Sequence, residues 1–170
     1  WQVLLTVGLG QGWDKATFDA VVSKAVEEEP KYYPVDEVRA CTLLPRWHGE
    51  PGDWEEYALK AAERPGGLGA EAYARIVTEM WGYHDNIFRE TKVSWPKTKE
   101  GLQLLRTRYP DSINHLHLAA RFAAEAGDIP YSKECFDQIG DSVYLGIWTN
   151  SATFLKYRDW VRKEAAKAKP

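Results

Sequence analysis

The sequence contains little cysteine: two residues, Cys41 and Cys135, in a chain of 170. Helical spacing places each of them on the apolar face of a predicted helix, and they are far apart in the sequence. We expect two buried free thiols, which behave as small apolar side chains, with a disulfide as the alternative. The cysteines therefore do not identify a redox compartment.

Long apolar runs and concentrated basic stretches are also lacking. No apolar stretch approaches the ~20 residues that a transmembrane helix requires, so we expect no membrane insertion in this segment. The formal net charge is −3, with lysine and arginine spread along the chain. Because phosphate binding needs a concentrated positive surface, this distribution argues against nucleic acid as the main partner.

The start of the chain shows no targeting signal. It begins at Trp1 rather than at methionine. Its first ten residues lack the basic region and the cleavage site of a signal peptide. We therefore expect a fragment that lacks an N-terminal segment. Any targeting sequence would then lie upstream, and the sequence does not indicate the cellular compartment.

Motifs for catalysis and metal binding are lacking as well. The sequence has no HExxH element, CxxC pair, calcium-binding loop, GxSxG elbow or phosphate-binding glycine loop. His115 and His117 are two residues apart, so on a helix they point to different faces and do not bind one ion together. The sequence thus predicts no metal, no cofactor and no catalytic residue, and the chain is not expected to be an enzyme.

What the sequence does contain is helical apolar spacing along almost its whole length. Asp14 and Asp53 are candidate N-caps, and His84 is expected as a buried imidazole on the longest helix, with a general base as the alternative. The stretch 143–148 has the composition of a strand but is interpreted as a loop. The spacing predicts about eight helices, over 14–29, 34–44, 53–64, 70–89, 95–109, 112–126, 130–139 and 151–168.

Short proline- and glycine-containing connectors favour antiparallel neighbouring helices. The clearest pair is 112–126 with 130–139, where small residues such as Ala120 and Ser132 permit close approach and Phe136 follows as a bulky side chain. This pattern is typical of a tetratricopeptide-like repeat and is best seen over 94–140. We therefore predict an all-α fold of antiparallel helix pairs, stacked as a short tetratricopeptide-like solenoid in a single domain over 1–170.

The connector 44–55 is rich in tryptophan, proline and glycine, and it supplies the candidate binding residues Arg46, Trp47, His48 and Trp54. A guanidinium between two indoles is able to grip a carboxylate or stack on a ring. The structural alternative is that both indoles close the corner between two helices.

Six short elements occur along nearly the whole chain: Trp1 with Gly8 and Gly12-Trp13, Pro30 with Tyr33-Pro34, 43–55, 73–76, Ser94-Trp95-Pro96 with Gly101, and 126–128. Together they resemble the bacterial DUF4034 family. The Leu-Leu-Pro-Arg-Trp-x-Gly element at 43–49 is the most specific of them. The resemblance implies a domain of unknown function with tetratricopeptide-like character, and it supplies no catalytic residues.

Two functions follow as hypotheses. The first is a non-catalytic scaffold that binds a protein or peptide partner, because stacked helix pairs present an extended surface. The second is a small-ligand-binding or hydrolytic domain with a tryptophan-lined pocket around Arg46, Trp47, His48 and Trp54.

Overall fold

The computed structural model describes residues 1–167, and within them the fold is all-α, as predicted. Ten helices and no strand occur in this part of the chain. The helices are α1 Gln2–Gly10, α2 Lys15–Glu28, α3 Pro34–Thr42, α4 Asp53–Glu63, α5 Ala70–Trp81, α6 Ile87–Glu90, α7 Trp95–Arg108, α8 Ile113–Ala126, α9 Ile129–Ile139 and α10 Ser151–Lys167. None of these helices has the length and apolarity needed to cross a bilayer.

Two differences explain why the structure has more helices than the eight predicted. Residues Gln2–Gly10 form α1, which the sequence did not reveal because no charged residue marks a polar face. The predicted helix over 70–89 is divided, because α5 ends at Trp81 and Gly82 caps it. The longest described helix is therefore α10, whose predicted end at Ala168 lies outside the described residues.

The chain divides into two compact units, the first from Trp1 to Gly101 and the second beginning at Leu102. The first unit holds α1 to α6 and the beginning of α7, and the second holds the rest of α7 and α8 to α10. The grouping of both units in one solenoid domain stays a prediction.

In the first unit, α1, α2 and α3 share an apolar cluster that includes Leu5, Phe18 and Val35. A buried ion pair joins α3 to the end of α4: the Asp36 carboxylate accepts hydrogen bonds from both terminal nitrogens of Arg64, at 3.0 and 2.6 Å. The Tyr57 hydroxyl donates to the same carboxylate at 2.6 Å. Because the buried Asp36 carboxylate accepts these three hydrogen bonds, the ion pair with Arg64 holds α4 in place against α3.

Of the two predicted N-caps, Asp14 is confirmed and Asp53 is not. The Asp14 carboxylate accepts the backbone N–H of Thr17 at 2.7 Å, which begins α2. At α4 the prediction was wrong by one residue, because Gly52 is the N-cap and Asp53 is already helical. Gly52 has a φ of 104°, a conformation that glycine adopts without strain.

In the second unit, α8 and α9 form the predicted hairpin. Gly127, with a φ of 82°, ends α8, and the Asp128 side chain caps α9. The buried Ser132 hydroxyl donates to the backbone oxygen of Ala120 at 2.8 Å, which confirms that small residues bring these helices close together. The stretch 143–148 is irregular, as predicted, and its Trp148 side chain is completely buried.

Candidate functional site

The candidate site is built on the connector between α3 and α4. It leaves α3 through a tight turn in which the backbone N–H of His48 donates to Thr42 O at 3.0 Å. A Cβ at Gly49 would lie 1.9 Å from the carbonyl oxygen of Leu43, so only glycine fits there. This turn holds Arg46, Trp47 and His48, whereas Trp54 is the second residue of α4.

His48 and Trp54 face the interior. Trp54 is only 4% exposed, and its ring centroid lies 6.1 Å from that of His84. The half-buried His48 ring lies 6.2 Å from Phe18. His84 itself occupies the segment between α5 and α6, so its predicted position on a long helix was wrong. Both inward rings contribute to packing in the first unit.

The same turn leaves Arg46 and Trp47 outside. Trp47 is 48% exposed and Arg46 is exposed as well. The Arg46 guanidinium carbon lies 4.8 Å from the ring centroid of Tyr83 and 6.0 Å from that of Trp47. Tyr83, which is 45% exposed, belongs to the turn that follows α5. We call Arg46, Trp47 and Tyr83 the aromatic–arginine surface.

The four predicted residues are thus divided. The structure brings Arg46 and Trp47 together at the surface and turns His48 and Trp54 toward the interior. A cavity of about 220 Å³ next to the connector is lined by Leu43 and Asp53 among others, and by none of the four predicted residues.

Sequence reasoning missed Tyr83. It lies 37 positions after Arg46, and only the packing of α3 against α5 brings the two together. No motif or spacing in the sequence links a tyrosine in the turn after α5 to an arginine in the connector after α3. The one available hint was the Gly82-Tyr83 pair, since glycine marks a helix end and exposes the residue that follows.

The aromatic–arginine surface continues into a set of ionisable groups between α3 and α5. The Cys41 thiol donates to Glu79 Oε1 at 3.6 Å and lies 3.9 Å from the Tyr83 hydroxyl. Burial, followed by the charge of Glu79, raises the pKa of Cys41 to about 11, so the thiol stays protonated at neutral pH. Because the thiolate is the nucleophile, this environment does not activate Cys41.

Glu37 belongs to the same set. Burial raises its pKa to about 7, and the charge of Glu79 acts in the same direction, while Arg75 opposes both. Arg75 is already bonded to Glu71 on its own helix, at 3.0 Å, and lies 3.8 Å over the ring of Tyr33. The result is a partly protonated carboxyl group near neutral pH beside the surface.

Both cysteines are thiols rather than halves of a disulfide, and Cys41 is half-buried while Cys135 is buried. Within residues 1–167, no group of three or more histidine, cysteine, aspartate or glutamate side chains is placed to hold a metal ion. His115 and His117 lie on α8 as expected, and His117 is engaged by the Trp148 indole N–H at 2.8 Å. The arrangement at the connector is suited to contact with another molecule through stacking and through the guanidinium.

Comparison with protein-family models, with curated proteins and with solved structures found no match for this chain. The resemblance to the DUF4034 family therefore stays a prediction.

Proposed function

We propose that this chain is a non-catalytic helical scaffold that binds a protein or peptide partner through the aromatic–arginine surface. The observation that carries the proposal is the exposed stack itself: Arg46 lies over Tyr83, with Trp47 beside it, and both rings are nearly half exposed. Tryptophan, tyrosine and arginine are the residue types most enriched at the energetic centres of protein interfaces.

The stack suits this role because it is held in place before any partner arrives. The tight turn at Gly49 leaves no room for a Cβ and orients Arg46 and Trp47, and the Tyr83 hydroxyl lies 3.9 Å from Cys41 Sγ. Side chains that are already ordered lose little conformational entropy on binding. Arg46 also makes no ion pair with any residue among 1–167, so its N–H donors remain for a partner's carboxylate or carbonyl groups.

We further propose that the helix pairs form a tetratricopeptide-like solenoid around the segment 94–140. The close contact of Ser132 with Ala120 supports this arrangement, because small residues at that position permit two helices of one repeat to pack tightly.

Site-specific photo-crosslinking tests the proposed surface. A photoreactive phenylalanine analogue in place of Trp47 is expected to crosslink a defined protein or peptide from the cell extract. The matched control carries the same analogue at Trp160, an exposed tryptophan on α10 that is 42% exposed. Arg46→Ala, combined with the analogue at 47, is expected to abolish the crosslink.

Two results would count against the proposal. One is an identical set of crosslinked species from positions 47 and 160. The other is a position-47 crosslink that persists at full yield when Arg46 and Tyr83 are both replaced by alanine.

A further inference from the structure

The second unit contains a surface cavity of about 490 Å³ where α7 ends, the chain turns and α8 begins. This volume falls in the range of small-molecule sites, which is about 300–1,000 Å³. Its lining is largely polar and includes Gln103, Arg106, Ser112 and Gln138. It lies in a different unit from the aromatic–arginine surface.

Arg106 is held firmly in the wall of this cavity. One terminal nitrogen donates to the Tyr131 hydroxyl at 3.1 Å and lies 3.6 Å from Cys135 Sγ. The other donates to Gln138 Oε1 at 2.6 Å. These partners on α9 orient the guanidinium, which is half-buried.

The two oxygen acceptors of Arg106, on Tyr131 and Gln138, belong to uncharged groups. Tyr131 is a phenol whose pKa is raised by burial, so it stays neutral at physiological pH. Gln138 is an amide, and its nitrogen donates to Glu134 at 3.1 Å, which places the amide between that exposed carboxylate and the arginine. Arg106 forms no ion pair with any residue in the described part of the chain.

Arg106 is an exception among the buried and half-buried arginines. Each of the others pairs with a carboxylate: Arg39 with Asp19, Arg64 with Asp36, Arg75 with Glu71, Arg121 with Glu125 and Arg158 with Asp141. A charge that is removed from water needs an opposite charge to offset its desolvation. Among residues 1–167, Arg106 has no such partner and lines the cavity instead.

We propose that this cavity binds the oxyanion group, a carboxylate or a phosphate, of a small ligand, with Arg106 as its charged partner. A guanidinium has five N–H donors, so donors remain beyond the contacts with Tyr131, Cys135 and Gln138, and they are able to bond either group. Ser112 contributes a hydroxyl at the cavity wall: its oxygen accepts the backbone N–H of His115 at 3.4 Å, which leaves its proton for the ligand.

The proposal is tested by titrating the whole chain with inorganic phosphate and, separately, with acetate, at constant ionic strength in chloride. Backbone amide chemical shifts of residues 103–116 report binding at the cavity.

Two variants remove the site in different ways. Arg106→Gln removes the charge, and Gln103→Glu places a carboxylate three residues before Arg106 on the exposed side of the same helix, where it is able to pair with the guanidinium. Arg89→Gln, at an exposed arginine of the first unit, is the matched control.

We expect saturable shifts with at least one of the two anions. The affinity should fall at least tenfold in Gln103→Glu and in Arg106→Gln, and it should be unchanged in Arg89→Gln. Saturation by phosphate alone or by acetate alone identifies the class of ligand. The absence of saturable shifts with both anions would overturn the proposal, and so would equal affinities of Gln103→Glu and the unsubstituted chain. An equal loss of affinity in Arg89→Gln would also overturn it. Gln103→Glu retains every contact of Arg106 seen in the structure, so its result stands if Arg106→Gln fails to fold.

Discussion

At the scale of single residues, two tryptophans seven positions apart have opposite roles. Trp54 is buried against His84, whereas Trp47 is 48% exposed beside Arg46. From residue type alone, both tryptophans are expected to be buried in the core. Their separation depends on the tight turn at Gly49, where the chain reverses and leaves one indole outside.

This difference predicts different effects on stability. Trp54→Ala should lower the free energy of unfolding by about 3–5 kcal/mol, since it removes a large buried side chain. Trp47→Ala should change it by less than about 1 kcal/mol, as is usual for surface positions. Urea unfolding of both variants measures the two values. Equal losses would show that Trp47 also holds the helices together.

A second prediction at this scale concerns Trp148, which anchors the loop before α10. Its indole N–H donates to Nδ1 of the buried His117 at 2.8 Å, and its ring lies 5.4 Å from that of Phe154. Trp148→Phe keeps an aromatic ring but leaves His117 Nδ1 without this donor. Because an unpaired buried acceptor costs about 1–3 kcal/mol, urea unfolding should show a loss of at least that size. An unchanged unfolding free energy would mean that the hydrogen bond contributes nothing.

At the scale of secondary-structure elements, a close contact between α5 and α7 in the first unit depends on the absence of a side chain at Gly101. A Cβ at Gly101 on α7 would lie 2.1 Å from the Ala70 carbonyl oxygen and 2.6 Å from Ala74 Cβ, both on α5. The two helices therefore approach each other more closely than any larger residue permits.

Gly101→Ala is accordingly expected to destabilise the chain by about 1–3 kcal/mol, because overpacking outweighs the gain in helix propensity. The control is Gly82→Ala, since a Cβ added at Gly82 would have no neighbouring atom within 4 Å and the residue has a φ of −64°. That control should be neutral or slightly stabilising. Thermal unfolding compares the two, and a harmless Gly101→Ala would contradict the close approach of α5 and α7.

The packing of α3 against α5 predicts a dependence of stability on pH. The pKa of Glu37 is raised from 4.5 to about 7 by burial, with a further contribution from Glu79. Below pH 4.5 the group is protonated in both the folded and the unfolded chain. As pH rises from 4.5 through about 7, the unfolded chain loses this proton first, so the group progressively destabilises the fold.

Glu37→Gln removes this effect. The variant should be more stable than the original chain at pH 8, and the difference should shrink as pH falls toward 4.5. Urea unfolding at a series of pH values measures it, with Glu63→Gln at an exposed position as the control for the loss of one negative charge. A difference that stays constant with pH would show that Glu37 is as well solvated in the folded chain as in the unfolded chain.

Local elements were predictable wherever one residue type has one physical role. The cap at Asp14 and the glycine that ends α8 follow from backbone groups that each helix end leaves unpaired. The break after Trp81 was missed because apolar spacing continues through Ile87 and Phe88, although the intervening residues turn. The spacing of apolar residues shows which side of a helix is buried. It does not show a turn between two helices whose buried sides face the same core.

At the scale of the whole molecule, the all-α class was predictable because helical spacing is repeated along the entire chain. Helices cover 69% of the described residues. The candidate surfaces were less predictable, since they depend on contacts between remote positions. Tyr83 contacts Arg46 although 37 positions separate them in the sequence. Arg106 becomes a candidate only when the structure shows that its bonding partners on α9 are uncharged.

The proposed binding surface of the whole chain is the exposed stack of Arg46, Trp47 and Tyr83. The most direct test is the affinity of the crosslinked partner, once purified, for the triple alanine variant and for Trp160→Ala. We expect at least a tenfold loss of affinity for the triple variant, about 1.4 kcal/mol or more, and an unchanged affinity for Trp160→Ala. Equal affinities for the triple variant and the original chain would contradict it.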